Sequence, residues 1–129
     1  MIAVDTSALV AIVLREPQAP PCVKILETET EAIVSAGTIA EALIVAGRRR
    51  VADEMRNLLE GLTIEIVDVT PASARRVAQA YDQWGKGVHP AGLNFGDCFA
   101  YALAKERSCP LLFVGDDFSK TDIESALQF

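Results

Sequence analysis

Four short β-rich runs alternate with longer stretches of helical spacing, and this alternation restricts the fold more than any other feature of the chain. "MIAV" runs straight into "DTSALVAIVL", where Leu9, Ile12 and Val13 share a helical face; a strand ends at Val4 and a helix starts near Thr6. Pro17, Pro20 and Pro21 interrupt, then open a short helix with Cys22, Val23 and Leu26 on one face, ending near Glu27. Glu31–Ser35 reads as a second strand and Thr38–Gly47 as a helix with Gly47 as its stop. A further helix covers about Val51–Glu60 and ends at Gly61. "LTIEIVDV" alternates as a third strand. Pro71 opens a helix with Ala74, Val77, Ala78 and Tyr81 on one face, and "GKGVHPAGLN" is a loop. "LNFGDCFAYALAKE" then sets Phe99, Ala102 and Leu103 at helical spacing, "CPLLFVGDD" is a fourth strand running into a turn, and "SALQF" offers an edge strand. Strands separated by helices are joined by crossovers and lie parallel, so the expected fold is an α/β sandwich around a mostly parallel sheet of four to five strands. Ligands of such folds bind beyond the carboxyl ends of the strands.

The chain of 129 residues is long enough to bury a sizeable core as one domain, 1–129, and carries no linker, repeat or low-complexity tract. Half of it is hydrophobic but only 6% is aromatic, so that core is mainly Val, Ile, Leu and Ala. The start lacks the basic and apolar regions of a signal peptide. The apolar run Ala8–Leu14 is far short of the roughly 20 residues that span a bilayer, so no membrane is expected. Cys22, Cys98 and Cys109 are odd in number and scattered, which fits neither a disulfide framework nor a metal knuckle. They are expected as reduced, mostly buried thiols of a cytoplasmic protein. A net charge of −6 argues against a protein that coats nucleic acid. It leaves room for a nucleic-acid enzyme whose carboxylates supply several of those charges and whose metal offsets them.

The acids at the strand ends carry the chemistry. Asp5 follows the first strand, Glu41 lies one turn into the helix after the second, Asp97 is in a first helical turn, and Asp116 and Asp117 follow the fourth strand. Each has a structural use of its own. Asp5 can cap the helix beside it; Thr38-x-x-Glu41 and Asn94-x-x-Asp97 have the spacing of a capping box; Asp116 and Asp117 suit a turn. Together they crowd like charges at one edge of one sheet, which raises their pKa values and is relieved by a divalent cation. Oxygen ligands without Cys or His suit Mg²⁺ or Mn²⁺ and not zinc. The single histidine, His89, is expected as a solvated loop residue. A carboxylate-held Mg²⁺ without a phosphate-cradling glycine loop points to hydrolysis of phosphodiesters.

"MIAVDTSALVAI", "SAGTIAEAL", "LNFGDCFAYALAKE" and "PLLFVGDDFSKTDI" together resemble the PIN-domain ribonucleases, specifically the VapC-type toxins of bacterial toxin–antitoxin pairs. The resemblance spans the whole length with the motifs in the family's order. It implies a PIN fold and an Mg²⁺- or Mn²⁺-dependent endoribonuclease acting on tRNA, rRNA or mRNA. It further implies a homodimer and inhibition by a small VapB-like antitoxin. The family's acidic positions fall on Asp5, Glu41 and Asp97; the fourth falls on Asp116 or Asp117, which stand side by side here. Thr6, in the family's Asp-Thr/Ser-Ser opening, is a candidate to orient a carboxylate or a metal-bound water on the substrate side.

Arg48, Arg49 and Arg50 are candidates to track an RNA backbone, or else form a solvated helix end, where cations are favoured. Lys86 and His89 are weaker candidates for phosphate contact. An antitoxin blocking an acidic cleft would use a basic side chain, arginine above all, with exposed Leu and Val of the N-terminal helices and the Glu41 helix as an apolar groove beside it. Two rivals are a phosphoacceptor receiver domain and a catalytically inactive PIN-like binding module. A receiver would place a lysine just after its last core strand, where this chain has Gly115, Asp116 and Asp117. The full acidic set argues against the inactive copy.

Overall fold

The computed structural model describes residues 1–127. Its elements run β1 (Ile2–Val4), α1 (Thr6–Val13), α2 (Ala19–Thr28), β2 (Ala32–Ser35), α3 (Ala36–Arg48), α4 (Ala52–Gly61), β3 (Ile64–Val67), α5 (Pro71–Trp84), α6 (Phe95–Glu106) and β4 (Leu111–Leu112). The sheet order is β3-β2-β1-β4 and every pairing is parallel. Side chains of a strand alternate between faces, and the two faces build two cores. Ala3, Ile33 and Leu111 join α5 and α6 on one side, while Ile2, Val4, Ala32 and Leu112 join residues of α1 to α4 on the other. The sandwich expected from the alternation is the sandwich observed.

Several local expectations change. The second crossover helix starts at Ala36, with Ser35 as its cap (Ser35 Oγ accepts from Gly37 N), so Thr38 and Glu41 form no capping box. Gly47 does not stop this helix. Arg50 N donates to Gly47 O and Val51 N to Ala46 O, the two bonds of a Schellman ending, and the left-handed residue is Arg50 at φ 60°. On α5 the buried positions are Val77 and Ala80, with Trp84 packed against the same core, while Ala74, Ala78 and Tyr81 are exposed. Alanines barely distinguish neighbouring helix faces; Trp84 does, because its Nε1 donates to Tyr101 OH at 2.8 Å across to α6. The fourth strand is only two residues long because Val114 N donates to Ser7 Oγ of α1 instead of continuing the ladder. At the expected "SALQF" edge strand, Ser125 forms an isolated parallel bridge to Leu111; Gln128 and Phe129 lie outside the described residues. The three cysteines are free thiols, Cys22 and Cys98 buried and Cys109 partly so.

Candidate metal centre

Three elements meet at the carboxyl end of the sheet. Asp5 is the first residue after β1, its N donating to Leu112 O of β4 at 2.9 Å. As the cap of α1 its Oδ2 accepts from Ser7 N at 3.0 Å. The side chain is 2% exposed, and Oδ1 is buried with no hydrogen-bond partner among the described residues. A carboxylate oxygen left dry and unpaired is costly, which makes Oδ1 an observation that asks for a ligand.

Glu41 lies on the second turn of α3. Its Oε1 accepts from Thr6 Oγ1 at 2.5 Å, and the same hydroxyl stands 3.4 Å from Thr38 O. Thr6 is buried, and the partner its hydroxyl orients is the Glu41 carboxylate. Asp97 is the third residue of α6. Asn94 Oδ1 accepts from Asp97 N at 2.8 Å and Asp97 Oδ2 accepts from Asn94 N at 3.0 Å, a complete capping box. The structural use of Asp5 and Asp97 is therefore real, and it leaves the second oxygen of each unspent. Asp5, Glu41 and Asp97 each have one oxygen held by the protein and one without a hydrogen bond from the described residues.

Electrostatics joins them. Burial pushes Asp5 up to about 6, with the charge of Glu41 adding to it. Burial pushes Asp97 up to about 7, with the charges of Asp5, Asp117 and Glu41 adding to it. Of the adjacent pair after β4, Asp117 is thus the one whose charge bears on Asp97. Asp116 is a turn residue whose carbonyl accepts from Ser119 N and Oγ. Both side chains are exposed. Among the described residues no three His, Cys, Asp or Glu side chains already stand so as to hold a metal ion. The carboxylates are electrostatic neighbours that stop short of enclosing a cation. The all-oxygen donor set, the orphaned Asp5 Oδ1 and the two raised pKa values nevertheless fit a hard divalent cation.

Other candidates fall elsewhere. Arg48, Arg49 and Arg50 are exposed at the far end of α3. At 1.5 Å per residue Arg48 stands about 10 Å along the axis from Glu41, so the triplet is set apart from the carboxylates. His89 is half-buried, not solvated: its ring packs edge-on to Trp84 at 4.7 Å and Nδ1 accepts from Ala91 N. Ser7, Ser35 and Gly96 also shape the site. Ser35 ends a strand as a hydroxyl residue, the usual mark of a cap, Gly96 interrupts a helical pattern, a mark of close packing, and Ser7, inside α1, accepts from Val114 N across the chain with no local signal for it.

Asp5 and Asp97 are thus buried carboxylates with spare oxygens at the carboxyl edge of a parallel sheet, with the buried Cys98 thiol next to Asp97 on α6. The family model described as PIN domain matches residues 2–124, and the chain belongs to the PIN-domain family. It is similar to Ribonuclease VapC42 of Mycobacterium tuberculosis, at 42% identity over 127 residues covering 95% of this chain and 97% of that one. Ribonuclease VapC30 of the same organism is 40% identical over 123 residues, covering 93% and 94%. Among solved structures, Mycobacterium tuberculosis VapC20, a Sarcin-Ricin loop cleaving toxin, superposes with a TM-score of 0.78 at 15% identity, covering 95% and 96%. DNA-bound VapBC from Salmonella typhimurium superposes at 0.71 and 14% identity, covering 96% of this chain and 94% of that one. These two likenesses establish the fold. Membership of the PIN family sets the receiver reading aside.

Proposed function

We propose that this protein is a divalent-metal-dependent endoribonuclease, the toxin of a toxin–antitoxin pair, with Asp5, Glu41, Asp97 and Asp117 as its metal-holding and catalytic carboxylates. The observation that carries the site is the set of spare oxygens on Asp5, Glu41 and Asp97. Mg²⁺ is the cation proposed for the cell, with Mn²⁺ able to substitute. Bound there, the cation would lower the pKa of a water and offset charge on the phosphate and leaving oxygen. The chain's own part is to hold the ligands still. Ser7 N fixes Asp5, the Thr6 hydroxyl fixes Glu41, and Asn94 N fixes Asp97. Burial keeps Asp5 and Asp97 largely out of water, where their charge acts more strongly on what enters.

The proposed substrate is tRNA, rRNA or mRNA and the proposed place of action the cytoplasm; among the described residues no helix is long and apolar enough to cross a membrane. The proposed partners are a second copy of the chain and a VapB-like antitoxin. Supporting the antitoxin, Leu43 and Ile44 of α3 are exposed. A cavity of about 580 Å³ lined by Ile12, Val23, Leu26 and Leu58 opens at the amino ends of β2 and β3, at the edge of the sheet opposite the carboxylates, and does not bear on how an antitoxin would block them.

The test incubates the chain with each RNA class in chelator and then with Mg²⁺ or Mn²⁺ restored. Cleavage that stops in chelator and returns with metal is expected. RNA left intact with either metal would end the nuclease reading, and cleavage undiminished in chelator would end the metal reading. Co-purification with the small product of a neighbouring gene is expected for the antitoxin. A chain that expresses freely and leaves its host's growth untouched would count against it.

A further inference from the structure

Two glycines face each other's helices across the α3–α6 contact. Gly37 is the second residue of α3 and Gly96 the second residue of α6. A Cβ built on Gly37 would run into the Phe99 ring of α6, 2.7 Å from both Cγ and Cε1 and closer still to Cδ1. A Cβ built on Gly96 would coincide with the Glu41 carboxylate of α3, 2.7 Å from Oε1 and nearer to Oε2. Residues three and four apart share a helix face. One face of α3 therefore carries Gly37 and Glu41, the facing side of α6 carries Gly96 and Phe99, and each large side chain lies over the other helix's glycine. The exchange sets how closely the two acid-bearing helices approach. Nothing in backbone conformation demands glycine at either place, since neither has a positive φ. Gly47, also in α3, has no atom within 4 Å of an added Cβ, so the constraint belongs to these two sites and not to helical glycines in general.

We propose that Gly96 is a positioning residue for the active site: its missing side chain lets the first turn of α6 close on the Glu41 carboxylate and hold it beside Asp97, while Gly37 and Phe99 set the spacing that makes this possible. The Thr6 hydroxyl fixes Oε1 from the α1 side, and Gly96 leaves the room on the α6 side. An alanine at 96 forces Glu41 out of this position or pushes α6 away, and α6 carries Asp97. The proposal rests on the metal-site reading for its consequence in catalysis, though not for its geometry.

The test is a double-mutant cycle read in chelator, with thermal midpoints of the wild type, Gly96→Ala, Glu41→Ala and the double variant. Gly96→Ala is expected to lower the midpoint by several degrees in the wild-type background. In the Glu41→Ala background, where the carboxylate is gone, it should cost nothing or stabilise, since alanine favours helix over glycine. An equal loss in both backgrounds would overturn the proposal, as would no loss in either. If Gly96→Ala alone fails to fold, a folded double variant supports the proposal and an unfolded one overturns it. Gly47→Ala is the control and should leave midpoint and cleavage at or above wild type. These readings need neither metal nor RNA, so they stand or fall apart from the nuclease reading. With Mn²⁺ and RNA, a folded Gly96→Ala should need more metal for half its thermal shift. Its kcat should drop by about a hundredfold, the scale of an ångström-sized misplacement, with KM for RNA unchanged. A loss confined to KM would overturn the positioning role.

Discussion

The acids of this protein sit in two unlike settings. Asp5 and Asp97 are buried at helix starts, each tied by one oxygen to a backbone N–H of its own cap. Asp116 and Asp117 ride on an exposed turn after β4. A capped carboxylate arrives preoriented, because folding the helix already fixes its direction. Keeping it dry raises its pKa. A turn carboxylate keeps its solvation and can adjust, but nothing aims it. On this account the first pair sets the geometry of the site, and Asp117 completes it.

The contrast breaks most visibly in cleavage. Asp5→Asn should reduce the rate by about a hundredfold or more, the scale of losing several kcal/mol of charge stabilisation. Asp117→Asn should cost about tenfold, near 1.36 kcal/mol, and Asp116→Asn nothing measurable. Single-turnover rates on one RNA rank the three, and an Asp116→Asn loss equal to that of Asp5→Asn would erase the distinction between the settings.

Stability against pH sharpens it next. Asp5 and Asp97 titrate near 6 and near 7 in the folded protein, above the ordinary 3.8. Their neutral forms therefore favour folding. That contribution is fully present below the ordinary carboxylate range and is lost as pH rises through 6 to 7. The metal-free chain should accordingly lose stability from about pH 4 to pH 8 on this account, while the metal-induced gain grows over the same interval because the ligands must be deprotonated. Urea midpoints across pH in chelator and in Mn²⁺ give both slopes. A metal-free protein that gains stability through pH 6–7 would show that the two acids are not held dry.

A smaller effect concerns the segment that carries the turn acids. Tyr101 OH accepts from Trp84 Nε1 and donates to Asp122 Oδ1 at 2.5 Å, and Lys105 holds the other Asp122 oxygen at 3.0 Å. Tyr101→Phe strands the indole N–H and should cost about 1–2 kcal/mol in chemical unfolding, loosening the chain after Asp117. A neutral result would mean that this network does not anchor the turn. Smallest is Arg50→Gly at the remote end of α3. Relief of its left-handed conformation should add up to about 1 kcal/mol and leave cleavage unchanged; a loss of cleavage would bring the arginine end back into the active surface.

The architecture was legible because strand and helix periods alternate cleanly, and the parallel sheet followed from crossovers. The acids were legible because strand ends can be counted. What local pattern could not supply was partnership across the chain. Thr38-x-x-Glu41 has the right letters for a capping box, yet Ser35 caps the helix and Glu41 answers to Thr6, distant in sequence. Gly47 looks like a stop only until Val51 N is seen to reach Ala46 O. Ala74 and Ala78 looked buried because alanine is apolar, whereas Trp84 decides which way α5 turns. Nothing in the adjacent letters of Asp116 and Asp117 tells which charge reaches Asp97; the fold of the turn makes it that of Asp117.

The central claim is that Asp97 is at once a helix cap and a ligand in a crowded carboxylate site, and thermal unfolding of wild type and Asp97→Asn, each in chelator and in Mn²⁺, tests it directly. Asparagine keeps an oxygen to accept from Asn94 N, so the cap survives. In chelator the variant should match or exceed the wild type, because repulsion is relieved. With Mn²⁺ at a hundredfold excess over its dissociation constant, the wild type should gain about 2.7 kcal/mol and the variant little. A variant that is weaker in chelator by roughly 0.3–1 kcal/mol, the worth of a charge at a helix start, yet keeps the full Mn²⁺ shift, would contradict the account and leave Asp97 a cap alone.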